Sequence, residues 1–413
     1  MANPEAISLK NQKFTPYQVF LIGILTLLQF TVVFGYAVVS PLGDTMMRDL
    51  HIDTSQFGFL ISGYAFGACV SGFFSASIAD KFDRKKFLLF FYTGFLIGTF
   101  LCGFSTDYHL LLVARTLTGV FGGVIGSIVL SIVADIFALS QRGRVMGFIQ
   151  MAFSVSQIVG IPFGIFVIEH WVWNDIFLSI GAMGVILGFV ILFKMQPIKT
   201  HLSQATQNEK PLVHLWKILT NKKYFAGFAL VMLVSLGSAM IMPFSPTFLI
   251  NNIHIVQNDL IYLYMASGIA SVFIMIYIGR LSDIFPKRTV FLVGALVTVV
   301  MTMVFTTLSP QPLWVVILIN IVMLTGINGR LIPTMALNTA MPSVDDRGGY
   351  MSLCSSFQQL SNGLGAMVSG LIIVQKGEGS PLEHFDKVGI IVSIAAIICI
   401  FLIQRVAKQV GAR

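Results

Sequence analysis

Charge is scarce in this sequence. Asp, Glu, Lys and Arg make up 11% of the 413 residues, 56% are hydrophobic, and the mean hydropathy is +0.85. A soluble domain carries about 25% charged residues, so water is excluded as the solvent for most of this surface. The 18 acids lie away from the middle of the long apolar runs, and the seven histidines lie in loops or tails. An intramembrane carboxylate is the usual proton relay, and no obvious one is present. Cys69, Cys102, Cys354 and Cys399 all sit in apolar runs without metal-type spacing. That argues against a zinc site or a disulfide framework, and they read as small apolar residues. No Gly-rich phosphate cradle occurs in the polar central stretch, so ATP-driven work by this chain alone is not expected. Nor is there a clustered base, nucleophile and metal-ligand set for intramembrane hydrolysis. Neither an enzyme nor a cofactor is expected.

What the chain has in abundance is hydrophobic runs, each near the roughly 20 residues that cross a bilayer as a helix. They fall at about 17–41, 56–79, 87–105, 108–137, 146–169, 176–194, 224–250, 259–281, 289–308, 313–338, 349–373 and 388–406. A β-barrel would alternate apolar and polar residues, whereas Gly181–Phe193 is apolar on every face. The expected fold is therefore an all-α integral membrane protein with twelve transmembrane helices. The first run follows a polar stretch without a small-residue cleavage site, which reads as a retained helix and not a signal peptide.

The net charge of +8 is explained by its placement. With the N-terminus on the cytoplasmic side, Arg48, Lys376 and Lys387 are the only basic residues in outer loops, and Arg115 and Arg330 fall inside spans. Cytoplasmic loops carry excess Lys and Arg, so both termini are expected in the cytoplasm, with the chain in the cytoplasmic (inner) membrane. Nucleic-acid binding is not expected.

The stretch Lys194–Tyr224 separates six runs from six, and the two sides share local text. Ser40-Pro41 matches Ser245-Pro246, Asp80 matches Asp283, and Leu117-Thr118-Gly119 matches Leu324-Thr325-Gly326. Arg142-Gly143 matches Arg347-Gly348 and Gly160 matches Gly365, all at offsets between 203 and 207 residues. The domains read as an N-terminal six-helix bundle (1–193), a cytoplasmic linker (194–224) and a C-terminal six-helix bundle (225–413). Such repeats suit carriers that rock one half against the other about a midplane site.

The loop Ala76-Ser77-Ile78-Ala79-Asp80-Lys81-Phe82-Asp83-Arg84-Lys85-Lys86 has a second copy at Gly279–Arg288, with Asp283 at the matching acid. Span four carries Arg115-Thr116-Leu117-Thr118-Gly119-Val120-Phe121-Gly122-Gly123, and span five carries Gly160-Ile161-Pro162-Phe163-Gly164. In these motifs the chain resembles the major facilitator superfamily, and within it the bacterial drug and sugar efflux branches. The resemblance extends over nearly the whole chain. It departs from the loop motif at Ala76 and Asp83, where the family has glycines, and at Ile161, where the antiporter motif has Gly. It implies alternating access, a central cavity lined by spans one, four, seven and ten, and a gate latch of Asp80, Arg84, Asp135, Asp283 and Arg288. Asp135 is implied as the partner of Arg84. The matching Arg in related drug–proton antiporters is linked to coupling, which points to Arg115, with snorkelling to the outer interface as the alternative.

Arg330 interrupts the repeat, since its first-half counterpart is Gly123. A charge near the midplane reads as a functional site; the alternative is bonding to carbonyls freed by Gly326, Gly329 and Pro333. Asn328, Gln29, Tyr36, Ser235, Gln157, Gln358 and Asn362 complete the candidate substrate residues. Each alone reads first as an ordinary interhelical hydrogen bond, and as a set they outline a polar cavity. Proton coupling would have to use helix-end acids such as Asp44 or Asp135, or a proton carried by the substrate. The expected function is efflux of a small amphipathic or anionic compound by a monomer embedded in lipid. Import of an organic anion is the alternative, and a non-transporting receptor or scaffold comes below both.

Overall fold

The computed structural model describes residues 14–78, 82–199, 211–343 and 346–410. Helix α1 (Pro16–Ala37) begins with a capping box. The Gln18 amide donates to Thr15 Oγ1, the Thr15 amide donates to Gln18 Oε1, and Pro16 occupies the first turn, where no N–H is needed. The chain then breaks into a short helix, α2 (Gly43–Asp49). Helices α3 (Thr54–Ile78), α4 (Arg84–Gly103) and α5 (Tyr108–Ile136) follow. Asp83 and Asp107 cap α4 and α5 by accepting backbone N–H groups of Lys85, and of His109 and Leu110. The fifth crossing is irregular. Helix α6 (Leu139–Val155) passes through a π-turn at Ser156–Gly160 into α7 (Ile161–His170), where Pro162 has no N–H to give the ladder. Helix α8 (Asn174–Lys194) completes the first half.

The second half repeats the plan after a linker helix, α9 (Pro211–Thr220). Helix α10 (Phe225–Ile241) again breaks into a short α11 (Ser245–Asn251). Then come α12 (Leu260–Ile284), α13 (Lys287–Thr306), α14 (Leu313–Ala340), α15 (Arg347–Ile372) and α16 (Phe385–Val410). A small antiparallel hairpin, β1 (Val374–Gln375) and β2 (Leu382–Glu383), joins α15 to α16.

Among the described residues, eleven helices or broken helices are long and apolar enough to cross a membrane. Phe189, Phe193, Phe273, Ile276, Leu296 and Phe401 point outward from them, a surface suited to lipid tails and not to water. This is an all-α, multi-pass membrane protein. Helix α15 is as long as the others but less apolar, because Ser352, Ser355, Gln358, Gln359 and Asn362 punctuate it. The structure adds α9 to the sequence reading. Leu215 and Ile218 are buried against Gly349 of α15 while Trp216 is exposed, so a one-sided apolar stripe holds a helix within a polar stretch.

The apolar interior divides into three clusters. One joins both halves at the end opposite the termini, here the loop end, and includes Phe34, Phe57, Phe177, Phe244, Phe248 and Phe385. At the end that carries the termini, the terminal end, the interior splits. One cluster there holds only first-half residues such as Leu21, Phe95 and Ile132. The other is built from second-half residues such as Phe228, Phe291 and Ile403, with Phe73 packed against it. The molecule is thus sealed across its halves at one end and divided at the other.

At the terminal end, Asp346 receives the Tyr224 hydroxyl at 2.7 Å and lies 3.5 Å from His214 Nε2 of α9. The Tyr224 hydrogen bond holds the Asp346 carboxyl below the usual carboxylate range. A lowered folded pKa contributes stability above the unfolded value, near pH 4, and that contribution is lost as pH falls through the folded value. Tyr224→Phe is therefore expected to cost about 1 kcal/mol at neutral pH and to weaken the acid dependence of the melting temperature. Melts across the acid range check both.

Candidate functional site

Two seams join the halves. Helix α3 packs along α15, and the α6–α7 crossing packs along α12. Small residues allow the approach. A Cβ on Gly58 would lie 2.7 Å from the Ala366 carbonyl, and one on Gly268 would lie 2.6 Å from Ile158 Cγ1. Ser154 and Ser271 also hydrogen-bond across the second seam at 3.2 Å. Helices α1, α5, α10 and α14 make no comparable contact across the halves, and they surround the space between the seams.

The residues singled out in the sequence are distributed over these helices and the two seams. On α1, Gln29 and Tyr36 fall on one helical face. Just past the helix end, the Ser40 hydroxyl donates to the Met242 carbonyl of the other half at 2.6 Å. On α15, Ser355, Gln358 and Asn362 share a face distinct from the one that packs on α3 through Ser356 and Gly363. Gln358 and Asn362 are half-buried, and Asn362 donates to Gln359 Oε1. Gln157 is buried in the second seam beside Gly268. Ser235 is buried on α10. Asn328 donates to its own helix at the Leu324 carbonyl.

The two intramembrane arginines are both turned inward within their own halves. Arg115 Nη1 donates to the Gly35 carbonyl at 2.9 Å, and the guanidinium lies 4.9 Å from the Tyr64 ring centre. It ties α1, α3 and α5 together, with Tyr36 stacked obliquely on Tyr64. Its Nε and Nη2 are buried without a hydrogen bond. Arg330 is 1% exposed and makes no hydrogen bond or ion pair among the described residues. It faces a small cavity bordered by α10, α13, α14 and α16. The backbone explains its direction. Gly329 meets Gly294 of α13 so closely that a Cβ on Gly294 would lie 3.0 Å from the Arg330 nitrogen, which turns residue 330 into the bundle.

The loop end is locked between the halves. Asn251 Nδ2 donates to Asp44 Oδ1 at 2.6 Å, and Arg48 pairs with the other Asp44 oxygen at 3.1 Å. Gln257 donates to Thr45 at 3.3 Å, and Thr54 donates to the Ile373 carbonyl at 2.6 Å. Asp44 is 4% exposed. Sequence reasoning missed Asn251, since the local repeat offset of 205 at Ser40-Pro41 pairs Asp44 with Leu249 and not with Asn251.

At the terminal end, Arg84 Nε donates to Asp135 Oδ2 at 3.0 Å, joining α4 to α5 within the first half. Arg142, which the sequence reading left without a role, donates to the Ala134 and Phe137 carbonyls and closes the C-terminus of α5. Asp283 and Arg288 are exposed and make no ion pair among the described residues. Asp80 lies outside the described residues. Asp135→Asn, which leaves the Arg84 charge buried against a weaker acceptor, is expected to lower stability by about 2 kcal/mol. Thermal unfolding in detergent measures it.

A multi-pass helical protein whose apolar interior is joined at one end and divided at the other has the build of the membrane carriers. The Major Facilitator Superfamily model matches this chain twice, over residues 25–237 and 227–411. The chain belongs to that superfamily. It is 27% identical over 162 residues to the uncharacterized MFS-type transporter YceJ of Bacillus subtilis (strain 168), a match covering 39% of this chain and 41% of that protein. The matched part is thus less than half of that relative's length. Multidrug resistance protein 2 of the same organism is 21% identical, with 83% of this chain and 86% of that protein covered. Among solved structures, a bacterial homolog of the human lysosomal transporter Spinster, inward-facing and unoccupied, superimposes with a TM-score of 0.77 at 16% identity. That superposition covers 96% of this chain and 99% of the other.

Proposed function

We propose that the chain is a secondary transporter that exports a small amphipathic or anionic compound across the cytoplasmic membrane by alternating access. The observation that carries this reading is the polar face of α15, with Gln358 and Asn362, beside a space sealed at the loop end and divided at the terminal end. The twelve crossings form two six-helix bundles, residues 1–193 and 225–413, joined by the linker 194–224. The twofold family match supports that division. The basic loops place both termini in the cytoplasm, so the structure represents the state open to the cytoplasm. The likeness to a multidrug resistance protein supports export.

Charge narrows the substrate. Arg115 and Arg330 stand buried behind the walls, and Asp44, the acid nearest the path, is committed to Arg48 and Asn251. Among the described residues a permanent cation meets no free carboxylate in this path, while neutral amphiphiles and organic anions meet amides, hydroxyls and a positive background. Gln29, Tyr36, Ser235, Gln157 and Asn328 complete the polar lining. Arg84–Asp135 braces the first half at the cytoplasmic end, and with Asp80, Asp283 and Arg288 it would latch that end when the halves close there. Asp44 is the group through which proton coupling would act, since it bridges the halves only when the loop end is closed. The chain works as a monomer and performs no chemical step.

The test is accumulation in cells stripped of their own efflux pumps, comparing an anionic amphiphile, a neutral one and a lipophilic cation. Expression is expected to lower accumulation of the first two, and the Gln358→Ala, Asn362→Ala double variant to restore it by at least several-fold. Export of the cation alone, unchanged in that variant, would overturn the reading.

A further inference from the structure

Helix α9 is apolar on two faces, and the bundle covers one of them. Leu215 and Ile218 belong to the second-half cluster, with Leu219 packed against it. Val213 and Trp216, three residues apart and so on a second face, are 48% and 63% exposed. The covered face is held in place. His214 Nε2 lies 3.5 Å from Asp346, and Leu215 and Ile218 meet Gly349. The turn that follows is closed by the Asn221 amide on the Ile218 carbonyl and the Tyr224 amide on the Asn221 carbonyl. These contacts fix α9 at the level where α10 and α15 begin, since Asp346 and Gly349 open α15 and the exposed Phe225 opens α10. The other exposed tryptophans, Trp171 and Trp314, stand where α7 ends and α14 begins, both at the loop end. Tryptophan collects at both membrane–water interfaces, and Trp216 is the exposed one at the terminal end. Charge points the same way. No Asp or Glu occurs from Pro211 to Phe225, whereas Lys217, Lys222 and Lys223 are exposed. Asp346, which faces α9, is committed to Tyr224 and His214.

We propose that α9 is a docking surface for the anionic phospholipid headgroups of the leaflet at the terminal end, with Val213 and Trp216 set at the top of the acyl chains and Lys222 and Lys223 on the phosphates. Anionic lipid supplies both things this surface lacks, an apolar cover for the second face and negative charge for the turn beside it. Basic residues next to a crossing gain from an anionic surface only within about a Debye length of it. The docking on the first turn of α15 keeps Lys222 and Lys223 at that level.

Tryptophan fluorescence of the full chain tests this in vesicles of equal parts phosphatidylcholine and phosphatidylglycerol, with a quenching spin label at the top of the acyl chain of one lipid or the other. Subtracting the signal of Trp216→Phe from that of the wild type isolates Trp216, and the exposed position lets that variant fold. Trp216 is expected to be quenched by both labelled lipids, and about fivefold more by labelled phosphatidylglycerol, the preference that one lysine gains at an anionic surface. The Lys222→Gln, Lys223→Gln double variant is expected to keep the quenching and lose the preference, as is the wild type in high salt. Quenching of Trp216 by aqueous iodide and by neither lipid would overturn the proposal, because the face would then look into water or onto protein. Equal quenching by the two lipids in the wild type would also overturn it, as would a preference that survives in the double variant. No transported compound enters this measurement, so its outcome is independent of the export assay.

Discussion

Asn251→Asp is expected to force the loop end apart at neutral pH and to let it close again in acid. In the wild type the Asn251 amide donates to Asp44 across the halves at 2.6 Å, with Arg48 on the other carboxylate oxygen. The variant replaces that donor with a second carboxylate of nearly the same shape. Two like charges about 4 Å apart repel by roughly 4 kcal/mol at the effective dielectric of a partly buried site, and Arg48 offsets only part of this. A charge-assisted hydrogen bond of about 1.5–3 kcal/mol is lost as well. Together these exceed what holds a two-state equilibrium near 99:1 on one side. Two carboxylates at this spacing share a proton when the pH is low enough, which restores a donor and the closed state. The measurement is cross-linking by a short bifunctional thiol reagent between Thr45→Cys and Gln257→Cys, whose native side chains meet across the halves at 3.3 Å, in a background without the four native cysteines. Cross-linking should be high in the Asn251 background at all pH values, and in Asn251→Asp low at neutral pH and recovered in acid. Equal cross-linking in the two backgrounds would mean that this pair does not set the conformation.

Gly119→Val and Gly58→Val are expected to fail in different ways. A Cβ on Gly119 would collide with the Tyr64 backbone inside the first half, where α5 crosses α3. That contact belongs to a bundle that moves as one body in an alternating carrier, so no conformation relieves it. Overpacking typically costs 1–3 kcal/mol, and a collision with backbone, which cannot rotate away, lies at or above the top of that range. Gly119→Val should yield little folded protein. A Cβ on Gly58 would instead lie 2.7 Å from the Ala366 carbonyl and 3.2 Å from Gly370 Cα, across the seam between the halves near the loop end. Parting the halves there removes the clash. Gly58→Val should therefore purify as a folded protein with its loop end parted, and should lose most of its transport. Size-exclusion profiles, melts and the accumulation assay separate the two variants. Loss of folding in both would place the α3–α15 seam among the fixed contacts.

The helices were legible because lipid leaves the backbone no other way to satisfy itself. Eleven of the twelve apolar runs correspond to helices or broken helices long and apolar enough to cross a membrane, and breaks stand at Ser40-Pro41 and Ser245-Pro246. Helix α9 was not legible, because its stripe of Leu215 and Ile218 lies in a stretch whose average is polar. Residue types in the candidate site could be read, but their directions could not. That Arg330 faces its own bundle depends on how closely Gly329 approaches Gly294, and that approach follows from the placement of α13 against α14. Arg115 likewise finds its partners, Gly35 and Tyr64, on two other helices. The Asp44–Asn251 bond was hidden for a similar reason, since it joins residues of the two halves that meet only when the halves are set together.

The central claim is that the polar face of α15 lines a space open to the terminal end and shut at the loop end. Asn362→Cys in a background without the native cysteines tests it directly, using a membrane-impermeant thiol reagent on right-side-out and inside-out vesicles. Fast labelling in inside-out vesicles and slow labelling in right-side-out ones is the expected result. Equal labelling from both sides, or none from either, would contradict it.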